Sequence, residues 1–429
     1  MTSYKQLICS LLLFTTSGLS YAQTNGSNSS YSRFGLGTLN EQSQGFNRSM
    51  SGLSQGIRKG NVINMQNPAS YAAIDSLSFI FDVGMALQGG RFKQGATTMN
   101  VYNTSLEYIN AGFRINKGLG LSFGFMPYTT IGYNFTRYST NDETTATFVH
   151  TGNGGLHEAY IGIGWSPFRN FSIGANAGYL WGEYNHSIVQ TLSNGGNGLN
   201  RLYEADLYSY KLDIGAQYRI ALDKRNTLTV GATVGIGHVI NSTAYNHSFT
   251  SNSDTITQSA TKAFELPYTI SVGAAWNHKD RWTVGADVLH ERWSKCKSPY
   301  IPETAGNNSS AFVSKEGAYL NRTKAIIGAE YVPDPTNRKY GQRIRYRMGA
   351  SFSTPYVKIN GADGPREYGI TAGIGLPISN KINSRSLINV GVQWSRIAPS
   401  NSLMITEDYF KINIGLTFNE RWFMKWKIN

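Results

Sequence analysis

An alternation of apolar and polar residues recurs from about Ser78 to Phe418 and constrains this chain more than any other feature. The stretch 171–179 reads FSIGANAGY, 228–234 reads LTVGATV, and 410–416 reads FKINIGL. Because successive side chains of a β-strand point to opposite faces, each stretch has one apolar and one polar face. Many such strands, with no helical pattern between them, predict an all-β fold: a closed antiparallel transmembrane β-barrel with lipid outside and a polar lumen.

The strands can be counted from this pattern. Their predicted bounds are 77–93, 104–116, 119–135, 155–166, 171–185, 203–220, 226–247, 262–277, 281–294, 318–332, 342–353, 366–377, 386–395 and 405–418. This gives about 14 strands, an even number as in closed bacterial barrels. Short turns alternate with long polar loops, and short turns of such barrels face the periplasm. We therefore expect a barrel in the outer membrane of a Gram-negative cell, with both termini periplasmic.

The two ends of the chain carry further signals. Residues 1–22 have a Lys, a short apolar run and Ser20-Tyr21-Ala22 at the end, which predicts a secretory signal peptide. Removal of that peptide leaves one cysteine, Cys296, so no intramolecular disulfide is expected. The tail 419–429 is apolar and basic and is expected at the periplasmic membrane interface or on a periplasmic partner.

The charge balance does not indicate a nucleic-acid partner. The formal net charge is +13, but Lys and Arg are scattered with no basic run or recognition motif. Membrane lipids and anionic lipopolysaccharide are simpler partners for these cations.

Seven aromatic residues on the apolar phase are expected to form girdles at headgroup depth. They are Trp165, Tyr179, Trp181, Tyr218, Trp276, Trp282 and Trp394.

Residues 23–76 precede the first predicted strand and lack sustained alternation. An aperiodic segment of this length is unusual in a compact fold unless it has a function. It is either a disordered periplasmic leader or a hatch (plug) folded into the lumen. Scattered apolar residues favour the hatch, because a disordered leader would carry fewer of them. They are Phe34, Leu36, Leu53, Ile57, Val62, Ile63 and Met65.

Many charged residues fall on the lumen phase, where they are tolerated, whereas charges facing lipid are costly. Since both signs are interleaved, we expect an ion-pair network that holds the plug; the alternative is a polar substrate path. These residues are Asp82, Arg114, Glu158, Lys211, Asp213, Arg219, Asp287, Glu291, Lys324, Glu330, Arg345, Arg347 and Lys411.

The sequence gives no support for catalysis. The 7 His residues show no metal-ligand spacing, and there is neither a nucleophile elbow nor a phosphate-binding loop. We expect no enzyme activity, no metal and no cofactor.

The chain resembles the FadL-like family of outer-membrane barrels, the long-chain fatty acid transporter type, and especially its Bacteroidetes branch. The resemblance rests on Asn67-Pro68-Ala69 before the first strand and on GFMPY at 124–128. LPY at 266–268 and WTVGADV at 282–288 add to it. It implies a fourteen-stranded barrel with an N-terminal hatch, for which Asn67 and Pro68 would form the hinge.

Pro127 lies within the third predicted strand, where it removes a ladder hydrogen bond. In the family that the chain resembles, the third strand kinks inward and opens a lateral gap toward lipid. The resemblance therefore predicts a gap around Pro127, with Phe125, Tyr128 and Ile131 at its rim. The alternative is that the strand simply ends above the membrane at this proline.

Two functional hypotheses follow. The first is a barrel for passive uptake of hydrophobic or amphipathic small molecules through a plugged lumen with a lateral wall opening. The second is a non-transporting subunit of an outer-membrane secretion or assembly complex, which would have further partners in that membrane.

Overall fold

The structure is a computed structural model that describes residues 28–140, 144–196, 198–250, 254–300, 312–378, 386–401 and 404–421. The predicted signal peptide 1–22 and most of the predicted tail 419–429 lie outside the described residues, so both stay predictions.

Fourteen strands form one closed antiparallel wall, because each strand pairs with the next and the first pairs with the last. The predicted fourteen-stranded barrel is therefore confirmed. The strands are β1 Ser78–Gln94, β2 Thr97–Asn116, β3 Leu119–Pro127 resuming as Thr129–Thr140, β4 Thr145–Phe168, β5 Phe171–Leu192, β6 Leu199–Ala221, β7 Asn226–Gly235, β8 Thr269–His278, β9 Trp282–Glu291, β10 Arg322–Tyr331, β11 Arg345–Ser353, β12 Arg366–Pro377, β13 Leu387–Ala398 and β14 Thr406–Arg421.

Shorter elements extend the wall or fill the barrel. Strands His238–Ile240 and Thr243–Thr250 continue β7, and Ile256–Thr261 and Phe264–Leu266 lead into β8. The other short strands are Thr38–Leu39, Ser298–Tyr300, Val313–Lys315, Lys358–Ile359 and Ala362–Asp363. Within the described ranges the helices are one α-turn, Gly45–Arg48, and the 3-10 turns Ser30–Arg33, Pro68–Ala73, Trp293–Lys295 and Tyr340–Arg343.

Several strands begin earlier or end later than the sequence pattern predicts. β2 begins at Thr97 rather than at 104, and β4 begins at Thr145 rather than at 155. The added residues lie at the end of the barrel that carries the long loops, here called the long-loop end; the opposite end is the short-turn end. A strand that rises above an apolar band no longer needs strict alternation, so the pattern cannot mark its end.

The outer face of the wall is apolar. Ile173 and Val230 are 40% and 43% exposed, and neighbouring outward positions are also Ile, Val, Leu or aromatic. The predicted girdle residues Trp165, Tyr179 and Tyr218 are more than half exposed on this face. No helix among the described residues has the length and apolarity that crossing a membrane requires.

Residues 28–74, here called the N-terminal segment, lie inside the barrel. Hydrogen bonds and ion pairs from this segment reach residues on β2, β3, β5, β6, β7, β9, β10, β12 and β14. Its apolar side chains Met50, Leu53, Ile57 and Ile63 are at most 1% exposed. A segment bonded to strands all around a closed wall must cross its interior.

The first described residues of the N-terminal segment lie toward the long-loop end. Asn28 donates a hydrogen bond to Asn103, and Ser29 bonds to Glu407, both toward the long-loop end. Residue 421 pairs with Ser78 at the short-turn end. The segment therefore runs through the lumen before it reaches β1, and the periplasmic position of both termini stays a prediction, because neither terminus lies within the described residues.

An apolar core fills the long-loop half of the lumen. It combines inward side chains of long strands with residues from the loops, including Phe264, Trp293 and Tyr319, each at most 1% exposed. Leu36 of the N-terminal segment is part of the same core.

Candidate functional site: the lumen cavities and the separation of β2 and β3

The wall separates between β2 and β3 toward the long-loop end. Their ladder runs from the turn at 117–118 up to the pair of Ile109 and Phe125, which is the last pair between them. Both strands continue beyond this pair, β2 to its start at Thr97 and β3 to Thr140. The two edges that face each other above Ile109 and Phe125 therefore share no ladder.

Pro127 lies next to the end of that ladder. Tyr128 donates its N–H to Leu156 on β4, so by alternation the nitrogen of Pro127 faces β2 and has no hydrogen to donate. Pairing with β4 continues through Pro127 and His157, and Gly154 and Gly155 then adopt positive φ of 123° and 122°. These two glycines of β4 therefore accommodate the irregularity at Pro127, while the edge of β3 that faces β2 has no pairing with β2.

The predicted rim residues are not brought to one edge. Phe125 lies on the outer face, where its ring is 5.7 Å from His157 and 5.8 Å from Trp181. Tyr128 lines the lumen, and Ile131 is 1% exposed inside the barrel. In β3, even-numbered residues point into the lumen up to Tyr128, and odd-numbered residues do so after the break. The predicted rim residues therefore lie on both faces of the wall, Phe125 outside and Tyr128 and Ile131 inside.

The N-terminal segment covers the free edge of β3 from inside. The strand Thr38–Leu39 pairs with Thr129 and Thr130, and Asn40 donates its backbone N–H to the carbonyl of Tyr128 at 3.0 Å. The Gln42 amide donates to the carbonyl of Pro127 at 3.0 Å. Four residues of this edge therefore take their partners from the segment and none from β2.

Two adjoining cavities lie beside this point. The inner cavity measures about 140 Å³ and is bounded by Met126, Tyr160, Asp287 and other residues. The outer cavity measures about 190 Å³ and has Glu107 of β2 and Thr130 of β3 among its lining residues. Both are lined by Tyr128, so the lumen space reaches the separation between β2 and β3.

The largest ion-pair cluster in the part of the chain that the structure describes is centred on Glu330, which is 1% exposed. Its carboxylate contacts Lys59 of the N-terminal segment, Arg345 at 3.3 Å and Arg347 at 2.7 Å. The guanidinium of Arg347 also lies 4.5 Å from the ring centre of Phe46. Three of the predicted lumen charges thus meet here and bind the segment to the wall.

The other predicted charges divide into paired and separate groups. Lys211 contacts Asp213 at 2.5 Å and Glu158 at 3.4 Å, and Asp287 accepts the backbone N–H groups of Ser54 and Gln55. Glu291 instead pairs at 3.0 Å with Arg322, a residue that was not among the predicted lumen charges. Six predicted residues have no ion pair among the described residues: Asp82, Arg114, Arg219, Asp287, Lys324 and Lys411.

The buried pair of Arg48 and Glu107 was not predicted from the sequence. Tyr108 points inward, so simple alternation would turn Glu107 outward. The register of β1 and β2 shifts at Gly84 and Met85, and Glu107 is the extra residue of this bulge. The bulge directs Glu107 inward, which no local sequence signal marks.

The predicted hinge residues Asn67 and Pro68 lie at the start of a 3-10 turn. Asn67 caps the 3-10 turn Pro68–Ala73 by accepting the N–H of Ala69, and it donates to Gln55 and to the Ala216 carbonyl of β6. That turn stands between Asn67 and β1, so these bonds link Asn67 to the N-terminal segment and to β6. Pro68 is the first residue of the turn, as its fixed φ favours.

Burial and charge act together on the titratable groups of the N-terminal segment. Burial disfavours the charged form of Arg48, but Glu107 and Glu41 outweigh it and raise the pKa of this guanidinium. Burial likewise opposes ionisation of Glu41, and Lys324 and Arg48 nevertheless lower its pKa.

Among the described residues, no three His, Cys, Asp or Glu side chains are grouped so as to hold a metal ion.

Solved structures with a similar fold include transporters of small hydrocarbons. The Pseudomonas putida toluene transporter TodX aligns with a TM-score of 0.62 at 15% identity, covering 90% of this chain and 100% of that one. The Ralstonia pickettii toluene transporter TbuX gives 0.61 at 15% identity, with 89% and 99% covered. A Pseudomonas aeruginosa FadL homologue gives 0.58 at 13% identity, with 90% and 99% covered. These likenesses establish the fold, and the resemblance to the FadL-like barrels is confirmed at that level.

No curated protein sequence matches this chain. A protein-family model does, and it spans residues 3–429 under the description BamG. That name differs from the FadL-like family which the motifs suggested, and the Bacteroidetes branch stays a prediction. The chain belongs to the BamG family.

Proposed function

We propose that this protein is an outer-membrane barrel through which small hydrophobic or amphipathic molecules pass passively from the lumen into the membrane. The observation that carries the proposal is the end of the β2–β3 ladder at Ile109 and Phe125, next to a cavity lined by both strands. A solute in that cavity has no continuous ladder between it and the outer face. The neighbouring toluene transporters support the same class of solute.

The N-terminal segment acts as the hatch in this proposal. It closes the lumen to water through the buried cluster at Glu330 and through backbone contacts with the wall. Asn67 and Pro68 hold the turn that joins the hatch to β1 and remain the proposed hinge. The bonds from residues 38–42 to β3 would have to yield for a solute to leave sideways.

The apolar outer face supports residence in the outer membrane, because such a face is stable only against lipid. The predicted signal peptide 1–22 would direct the chain there, and the short-turn end would face the periplasm. Lipids and lipopolysaccharide are then the surrounding partners.

Replacement of Pro127 by Val tests the lateral route. Val restores an N–H directed at β2, which favours pairing across the separation. We expect slower uptake of toluene into cells or vesicles that carry Pro127→Val, with the barrel still folded. Pro267→Val is a matched control, because Pro267 precedes β8, whose pairing partners are β7 and β9 and not β2 or β3. Normal uptake by Pro127→Val would overturn the lateral route.

A second candidate is a non-transporting subunit of an outer-membrane complex. It is favoured by the apolar core that fills the long-loop half of the lumen, where Phe264, Trp293 and Tyr319 leave little room for a solute. Purification in mild detergent separates the candidates. A stable stoichiometric complex together with absent toluene uptake supports the subunit, and a lone protein with uptake supports the channel.

A further inference from the structure

We propose that the inner cavity binds the ammonium group of a small amphipathic organic cation. The inference rests on the proposed uptake function and specifies its solute class. The cavity of about 140 Å³ has room for one aromatic ring, since a cavity of about 150 Å³ holds benzene.

The lining of the inner cavity is acidic. It contains the carboxylates of Glu158, Asp213, Asp287 and Glu291 and one cation, Lys211. Arg322, outside this lining, pairs with Glu291, so four carboxylates face two cations. The cavity therefore favours a positively charged guest.

Two of these carboxylates are deeply buried and incompletely paired. Glu158 and Asp287 are each 3% exposed. Oε2 of Glu158 and Oδ1 of Asp287 have no hydrogen-bond partner among the described residues. A buried ionised oxygen without a partner is costly, and an ammonium group supplies three donors. Both carboxylates border the cavity in which that group would lie.

The geometry points to an organic cation rather than a metal ion. The carboxylates surround the cavity without grouping closely enough to ligate a metal within the described residues. Met65, Met126, Leu289 and Ile326 supply an apolar part of the lining, which suits a hydrocarbon body. An organic cation with a hydrocarbon body would contact both the acidic and the apolar parts of the cavity lining.

The outer cavity provides a contrast. Glu41, Glu107, Glu291 and Glu367 line it together with Arg322, Lys324 and Lys411, and Arg48 pairs with Glu107. Its charges are balanced, so it should not distinguish a cation from a neutral molecule. Discrimination by charge is expected in the inner cavity alone.

Equilibrium binding of a matched series to the full chain in detergent tests the proposal. Benzylammonium, benzyl alcohol and benzoate share one ring and differ in the charge of the substituent. We expect benzylammonium to bind at least tenfold more tightly than benzyl alcohol, and benzoate to bind most weakly. Equal affinities, or a preference for benzoate, would overturn the proposal. This series uses the unmodified chain, so its result does not depend on the folding of a variant.

Variants then locate the site. Asp287→Asn keeps an oxygen for Ser54 and Gln55, and it should weaken benzylammonium binding about tenfold while leaving benzyl alcohol unchanged. Glu158→Gln should do the same, whereas Glu183→Gln, exposed on β5 outside both cavities, should have no effect. Unchanged binding in both lumen variants would refute the assignment. Toluene uptake is measured separately, so failure of the ammonium site and failure of the channel function remain distinguishable.

Discussion

Glu330 should hold the N-terminal segment in the barrel, and Glu330→Gln is the sharpest test of that role. Its carboxylate is the shared partner of Lys59, Arg345 and Arg347. Gln has nearly the same shape but no charge. The substitution therefore leaves three cations facing one another, one on the segment and two on β11.

The magnitude follows from burial. Removing one partner of a buried ion pair costs about 3–5 kcal/mol, because the remaining charge is left uncompensated. Arg347 is fully buried, but the Lys59 and Arg345 side chains are 16% and 19% exposed and recover some hydration. We therefore expect the lower end, about 3 kcal/mol, which raises the equilibrium for detachment of the segment roughly 100-fold.

Hydrogen exchange of residues 45–63, measured by mass spectrometry on the protein in detergent, reports this detachment. Glu183→Gln is the matched control, because it makes the same chemical change at an exposed position. Lys59→Met should give a smaller increase, since Glu330 keeps both arginines. Exchange in Glu330→Gln equal to that in Glu183→Gln would refute the view that this cluster holds the segment.

Two further predictions follow from close packing and burial. A Cβ at Gly174 would lie 2.5 Å from the carbonyl carbon of Pro68, whereas one at Gly341 would meet nothing within 4 Å. Gly174→Ala should therefore displace the turn Pro68–Ala73 and increase passage of small hydrophilic solutes in liposome swelling, while Gly341→Ala should not; equal swelling rates would contradict this. Burial, with Glu265 nearby, raises the pKa of the Cys296 thiol to about 12, so maleimide should label it only after unfolding. Rapid labelling of the folded protein at pH 7.5 would contradict this.

The position of the N-terminal segment decides how the lumen can work. Wall glycines at inward positions let its backbone approach the strands directly, as at Gly231, where a Cβ would lie 1.9 Å from the Gln55 carbonyl oxygen. The segment is therefore fitted to this wall, and any movement must break contacts with several strands. This favours local release of residues 38–42 over removal of the whole segment.

The sequence by itself determined the closed barrel, its fourteen strands and the direction of most side chains. A period of two fixes which residues face outward wherever one medium is apolar, so Ile173 and Val230 could be placed from pattern alone. The charges of the lumen phase, such as Glu158 and Asp287, could be recognised for the same reason. The proline at 127 also marked the place where the β2–β3 ladder ends.

Only the tertiary structure decided which of those inward residues meet. The partners of Glu330 come from positions 271, 15 and 17 residues away, and Lys59 belongs to a segment with no periodic pattern. The bulge that directs Glu107 inward breaks the alternation from which direction is read. The path of the N-terminal segment from the long-loop end likewise depends on contacts all around the wall. The apolar–polar alternation indicates which medium each face of a strand contacts. Which side chains pair inside the lumen depends on strand register and on the N-terminal segment, which has no such alternation.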